Sequence, residues 1–144
     1  MTRVKLNELQ EYRFHYSVRL QPRDINHAGH MGNDALVSVL GTAQAEMFHS
    51  LGISQTDLGD GRTGIILSDM IVNYKAEAFM FDELLIDTHA AEFGRTSFRL
   101  FHRVTREETL IALAEKGLTI FDYSSRKVAP VPEVLLRLLA KLKD

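Results

Sequence analysis

Only one stretch of this chain has both the length and the period of a long helix. From Ala35 to Leu51 the apolar positions Leu36, Val39, Leu40, Ala43, Met47, Phe48 and Leu51 recur at three- and four-residue steps, the spacing of a single helix face. Asn33 and Asp34 offer an N-terminal entry and Gly52 a C-terminal stop. Gly41, in the interior, costs about 1 kcal/mol relative to alanine, so close packing is expected there. The other long segments read as strands. Tyr12–Leu20 sets Tyr12, Phe14, Tyr16, Val18 and Leu20 against Arg13, His15, Ser17 and Arg19, a strict period of two. After a Gly/Asp-rich loop, Gly59–Gly64, come the strand-like runs Ile65–Tyr74, Glu83–Phe93, Thr96–Thr105 and Thr109–Tyr123. The last three are joined by turns at Gly94-Arg95 and Arg106-Glu107-Glu108. Pro130 and Pro132 end the sheet, and Glu133–Lys143, with Leu135, Leu136, Leu138, Leu139 and Leu142, reads as a short helix.

One helix covers only one face of such a sheet, so the sheet should curl around it. The expected architecture is α+β: a five-stranded antiparallel sheet wrapped around one long central helix, with a short C-terminal helix, as in the hotdog fold. Apolar residues left over on the sheet and its edge favour pairing with a second copy, as a homodimer or a dimer-of-dimers tetramer. The 144 residues suit one domain, 1–144, with a single core.

Composition narrows the chemistry. With 17 basic and 19 acidic side chains the net charge is −2, and no basic excess marks a nucleic-acid or membrane surface. The chain has no cysteine, which removes disulfides, thiolate catalysis and cysteine zinc sites. His15, His49, His89 and His102 are scattered and no pair has metal-ligand spacing on a single helix, so no metal is expected. Met1–Gln10 lacks the apolar core of a signal peptide and no run is long enough to span a bilayer, so a cytoplasmic location is expected.

The loop entering the helix, Asp24-Ile25-Asn26-His27-Ala28-Gly29-His30-Met31-Gly32-Asn33, resembles the signature of the 4-hydroxybenzoyl-CoA thioesterase group, Asp-x-Asp-x-x-Gly-His-Val-Asn-Asn. Further landmarks follow in order: Asn73-Tyr74-Lys75-Ala76-Glu77-Ala78 with Asp82, Gly94-Arg95-Thr96-Ser97-Phe98, and Ala114–Asp122 followed by Pro130-Val131-Pro132-Glu133. The resemblance runs from Tyr12 to about Leu139. It implies hydrolysis of an acyl-CoA or acyl-carrier thioester at a site between subunits, with coenzyme A entering as substrate and no cofactor. The chain departs from the pattern where catalysis is concerned. Asn26 stands where the family often carries a catalytic aspartate, and Gly32 replaces the first asparagine of its pair. Leu36, Gly41 and Gln44 occupy positions where the family has tyrosine, glutamate and arginine.

Thioester hydrolysis needs a polarised carbonyl and an activated water. A helix N-terminus supplies the first, so Gly32, Asn33 and Asp34 are read as an oxyanion site. The other reading of the same residues is an ordinary glycine-containing N-cap. Asn26 orients water or substrate but cannot act as a base. The base is then sought at Asp34, or at Asp69, a lone acid in an apolar strand that is either paired or functional. His30 binds substrate or the loop. Thr42 reaches the site from the helix with Glu46, unless both belong to its solvated face. Asp24 reads as a capping residue and His27 as solvent-facing. Phe79, Met80 and Phe81 line an acyl tunnel or form a core or interface cluster, and Arg62, Arg95, Arg103 and Lys75 meet CoA phosphates at the rim or are ordinary surface cations. Two other functions fit the same residues: a non-catalytic acyl-thioester binding module, given Asn26, and a hotdog hydratase or dehydratase, which needs a histidine–carboxylate pair.

Overall fold

The computed structural model describes residues 2–143. Its elements are β1 (Phe14–Arg19), α1 (Asn33–Ser50), β2 (Thr63–Tyr74), β3 (Glu83–Ala91), β4 (Ser97–Arg106), β5 (Thr109–Asp122), β6 (Lys127–Val128) and α2 (Glu133–Leu139). The strands form one antiparallel sheet in the order β1-β3-β4-β5-β2, and the two-residue β6 pairs with the end of β5. The sheet therefore has six strands where the sequence predicts five. The sixth arises because the chain turns back at Asp122, whose carboxylate accepts the Ser124 and Ser125 amides. Helix α1 starts at Asn33 rather than Ala35, and Leu51 and Gly52 close it, Gly52 at φ +75.

The helix buries Leu36, Val39, Leu40, Ala43, Met47 and Phe48 against the inner face of the sheet. Its first half packs in a cluster with Leu20, Leu84, Ile86, Val104, Ala112 and Ala114. Its second half packs with Ile65, Phe98, Leu100, Leu118, Ile120 and Leu135 of α2. Alternation along each strand sends the neighbouring residues to the outer face. There the N-terminal segment crosses the sheet: Leu6 N–H donates to Asn73 Oδ1 and Asn73 Nδ2 donates to the Val4 carbonyl. Arg103 lies over the Tyr12 ring at 4.5 Å and reaches Glu8 at 3.1 Å. Beneath it the buried Asp87 accepts from Arg103 and meets His15 Nδ1 at 2.6 Å.

β2 carries one irregularity with large effects. Leu67 faces Leu118, Asp69 faces Gly117, and Ser68 between them is the extra residue of a bulge. Before it Ile65 and Leu67 point inward; after it Met70, Val72 and Tyr74 do, and Asp69 points outward. Arg99 grips Asp69 with two hydrogen bonds of 2.7 Å and takes Glu115 at 2.8 Å. Gly117 makes room for this, because a Cβ there would collide with Asp69 and Arg99.

The start of β2 lies beneath the preceding loop, with Ile65 N–H donating to the Gln55 carbonyl at 2.8 Å. A Cβ on Gly64 would strike that carbonyl, the Thr56 backbone and the Tyr123 ring. Gly64→Ala is accordingly expected to destabilise the fold by about 1–3 kcal/mol in urea unfolding, the range of an overpacked core site.

Candidate active site

The loop ahead of α1 is held by its own polar groups. Asn26 N–H donates to the His30 carbonyl at 2.9 Å, its carbonyl accepts Gly29 N–H at 3.1 Å, and its Oδ1 accepts Ala28 N–H at 2.9 Å. Asn26 is thus an Asx-turn residue, and its side-chain oxygen is already engaged. Gly29 takes φ +87, a conformation that side chains disfavour. The Asp24 carboxylate accepts the Gln21 amide at 2.7 Å, the capping role its position predicts. Met31 N–H donates to the Ala78 carbonyl at 2.8 Å and docks the loop on the exit of β2.

These contacts deliver Gly32 as the residue that caps α1, with no side-chain cap. Gly32 itself is not an open donor, since its N–H donates to the Asp24 carbonyl at 3.0 Å. Leu36 N–H is the first to close on the helix, onto the Gly32 carbonyl. Among the described residues the amides of Asn33, Asp34 and Ala35 meet no acceptor, as expected of a first turn. Of the three residues read as an oxyanion site, Asn33 and Asp34 keep open amides and Gly32 does not. Gly32 contributes space instead. A Cβ there would come within 2.6 Å of Asp34 Oδ1, so glycine lets that carboxylate fold over the helix end.

A cavity of about 240 Å³ opens beside this helix end, lined by His30, Met31, Asn33, Tyr74, Glu77 and Ala78. The Tyr74 hydroxyl donates to the Asn33 carbonyl at 3.1 Å. Burial, then the nearby Asp34 charge, pushes its phenol above the usual value. His30 Nε2 lies 3.7 Å from Glu77 Oε2, a histidine–carboxylate pair that the linear sequence does not reveal.

Other expected site residues lie elsewhere. Asp69 does not reach the helix end: the bulge turns it to the outer face, where the hydrogen bond from Arg99 lowers its pKa below the usual carboxylate range. Thr42 is exposed, and its hydroxyl donates to the Ser38 carbonyl within α1. Phe79, Met80 and Phe81 are also exposed, and Arg106 and Arg19 sit over the Phe79 and Phe81 rings.

A second polar feature was missed on reading the sequence. Thr88, His102, Lys116 and Gln44 are all buried and lie on the inner side, where the two apolar clusters meet. Thr88 Oγ1 and His102 Nδ1 are 2.8 Å apart, and Lys116 Nζ donates to Gln44 Oε1 at 2.9 Å. Burial, with Lys116 adding to it, drives the His102 pKa well below its usual value, and burial alone pushes Lys116 down to about 8. The signal for Lys116 was available, since it interrupts the inward-facing series Ala112, Ala114, Leu118, Ile120 at a step of two. A cavity of about 240 Å³ lies above it, walled by Val37, Gly41 and Gln44 of α1 and by Leu67 and Met70 of β2. Gly41 meets nothing within 4 Å beyond its own helix, so it holds this cavity open instead of allowing the close packing predicted.

A model of the thioesterase-like superfamily matches residues 20–139. The chain belongs to that superfamily. Its fold is that of solved hotdog thioesterases. The 1,4-dihydroxy-2-naphthoyl-CoA thioesterase Slr0204 of Synechocystis is 20% identical with a TM-score of 0.80, covering 90% of this chain and 96% of its own. The gentisyl-coenzyme A thioesterase BH1999 is 21% identical at 0.76, covering 87% and 98%. The hypothetical protein TT1821 of Thermus thermophilus is also similar in fold, 16% identical at 0.79, covering 90% and 98%. No curated protein matches the sequence significantly. Among the described residues no helix is long and apolar enough to cross a membrane.

The buried lysine sets a pH dependence for this thioesterase-like fold. Between pH 8 and 10.5 the unfolded chain holds a proton that the folded Lys116 has released, so stability rises with pH across that window. The full rise is about 3 kcal/mol from the size of the shift. Urea unfolding of wild type and Lys116→Met at pH 7.5 and 10.5 is expected to show that rise only in wild type.

Proposed function

We propose that the chain is a cytoplasmic acyl-CoA thioesterase that hydrolyses its substrate with water and no cofactor, at the N-terminus of α1. The observation that carries this reading is the uncapped helix end, with the Asp34 carboxylate folded over Gly32 beside a cavity. The thioester carbonyl would accept from the Asn33 and Asp34 amides, where the helix dipole favours the charge that develops on oxygen. Asp34 is the carboxylate at hand to take a proton from the attacking water. Tyr74 and His30 line the cavity and orient the thioester. Asn26 fixes the loop rather than entering the chemistry.

The same reading includes a homodimer, with a dimer of dimers as its further assembly. β2 is an edge strand with twelve residues, among the described residues paired only with β5. Its inward residues Leu67 and Tyr74, with Val37 of α1, are large apolar side chains left exposed beside both cavities. A second copy laid along β2 would bury them and complete the edge. The His30–Glu77 pair favours one alternative, hydration of an enoyl thioester; retained acyl-CoA binding with no turnover would indicate a binding module instead.

Thiol release from a panel of acyl-CoA esters tests the reading. Asp34→Asn is expected to lower kcat about a hundredfold with a smaller change in KM, whereas Asp69→Asn should retain activity. Absence of thiol release, or loss of absorbance from an enoyl-CoA without it, overturns the proposal. Light scattering is expected to give at least twice the 16.3 kDa chain mass, and Leu67→Asp should lower it toward a single chain.

A further inference from the structure

A lysine with almost no exposure usually faces a carboxylate. Lys116 does not: among the described residues it forms no ion pair, and its one hydrogen-bond partner is the neutral Gln44 amide. The acids beside it in the sheet, Glu115 and Asp69, stand on the outer face and are held by Arg99. The remaining neighbours add no anion. Met70 and Leu100 face Lys116 across the strands, Val37 and Gly41 come from α1, and Thr88 is neutral. The titratable group that burial places beside it, His102, adds no anion either: its Nε2 has no hydrogen-bond partner and its depressed pKa keeps it uncharged. A buried cation without a counter-ion is costly, and three N–H donors on one amide acceptor leave two unspent. Yet Lys116 lines a cavity between α1 and β2.

We propose that the cavity between α1 and β2 receives the acyl tail and that Lys116 selects thioesters whose tail ends in a carboxylate. A carboxylate there would supply the missing counter-ion and accept a charge-assisted hydrogen bond. The geometry suits a chain of moderate length. From Asp34, beside the scissile bond, to Gln44, beside Lys116, the helix rises roughly 15 Å. Gly41, with no side chain, leaves the path along the helix clear. The inference rests on the thioesterase reading for its reaction but not for its recognition.

Matched acyl-CoA pairs test it, from hexanoyl and adipoyl to decanoyl and sebacoyl, methyl-ended against carboxylate-ended. Wild type is expected to favour the carboxylate-ended member by on the order of tenfold or more in kcat/KM. The preference should fall as the pH passes 8, where the ammonium loses its proton. Lys116→Met should reduce the ratio to one or below. Gln44→Glu, which supplies an internal counter-ion without changing size, should do the same. A ratio near one in wild type overturns the proposal, as does an equal loss on both substrates in Lys116→Met, the pattern of a merely structural lysine. Calorimetry with non-hydrolysable thioether analogues of each pair reads the same preference without turnover. If no ester is hydrolysed but the carboxylate analogue binds tighter in wild type than in Lys116→Met, the thioesterase reading fails and the recognition stands. Equal binding of the two analogues overturns the recognition.

Discussion

The structure depends on burying one face of a single helix. Leu36, Leu40, Ala43 and Met47 are completely shielded, and the sheet shields them. Each large apolar side chain removed from water contributes roughly 1.5–3 kcal/mol, so the sheet is drawn around α1 and its strands acquire an inside and an outside. Short turns fix the order of β3, β4 and β5, and α2 closes the open end under Phe48 through Leu135 and Leu139. The flank of α1 beside β2 receives no such cover, and both cavities open there. The same constraint that builds the core leaves the site unfinished on one side.

Charge is sorted by sheet face. On the outside, carboxylates and guanidinium groups neutralise one another in sets: Asp69, Glu115 and Arg99 in one, Asp87, Glu8, His15 and Arg103 in another. On the inside, among the described residues, Lys116 is left with an amide and a neutral imidazole. The solvent-exposed pairs of the outer sets contribute little to stability. The inner arrangement costs stability, and a group kept at such a cost is a sound place to look for function.

The helix, the strands and the hairpins were legible because their signals are local: a repeat of three to four, a repeat of two, and turns at Gly94-Arg95 and Glu107-Glu108. The helix-entry loop was legible as a motif, and Asn26, His30, Asn33 and Asp34 do gather at one helix end. What escaped depends on pairing. Glu77 reaches His30 only because Met31 docks on Ala78. Gly32 looked like a donor because local sequence does not reveal that Asp24 has already taken its amide. Of the two roles open to Asp69, paired or functional, the structure shows the pairing, with Arg99 on the outer face, which the sequence does not reveal because one extra residue in β2 decides the face.

That extra residue marks the one place where β2 can change length without changing its faces. Ser68 and Asp69 share the outer side, so the bulge absorbs an odd residue and keeps the parity of everything downstream. Deleting Ser68 would leave Asp69 outside and Tyr74 beside the helix end, while removing the local kink. Deleting a residue farther along the strand would instead exchange the two faces beyond that point, unless the bulge itself were given up to restore the count. β2 thus carries a built-in spare residue. The strand that borders both cavities can lose one position and still present the same side chains to them.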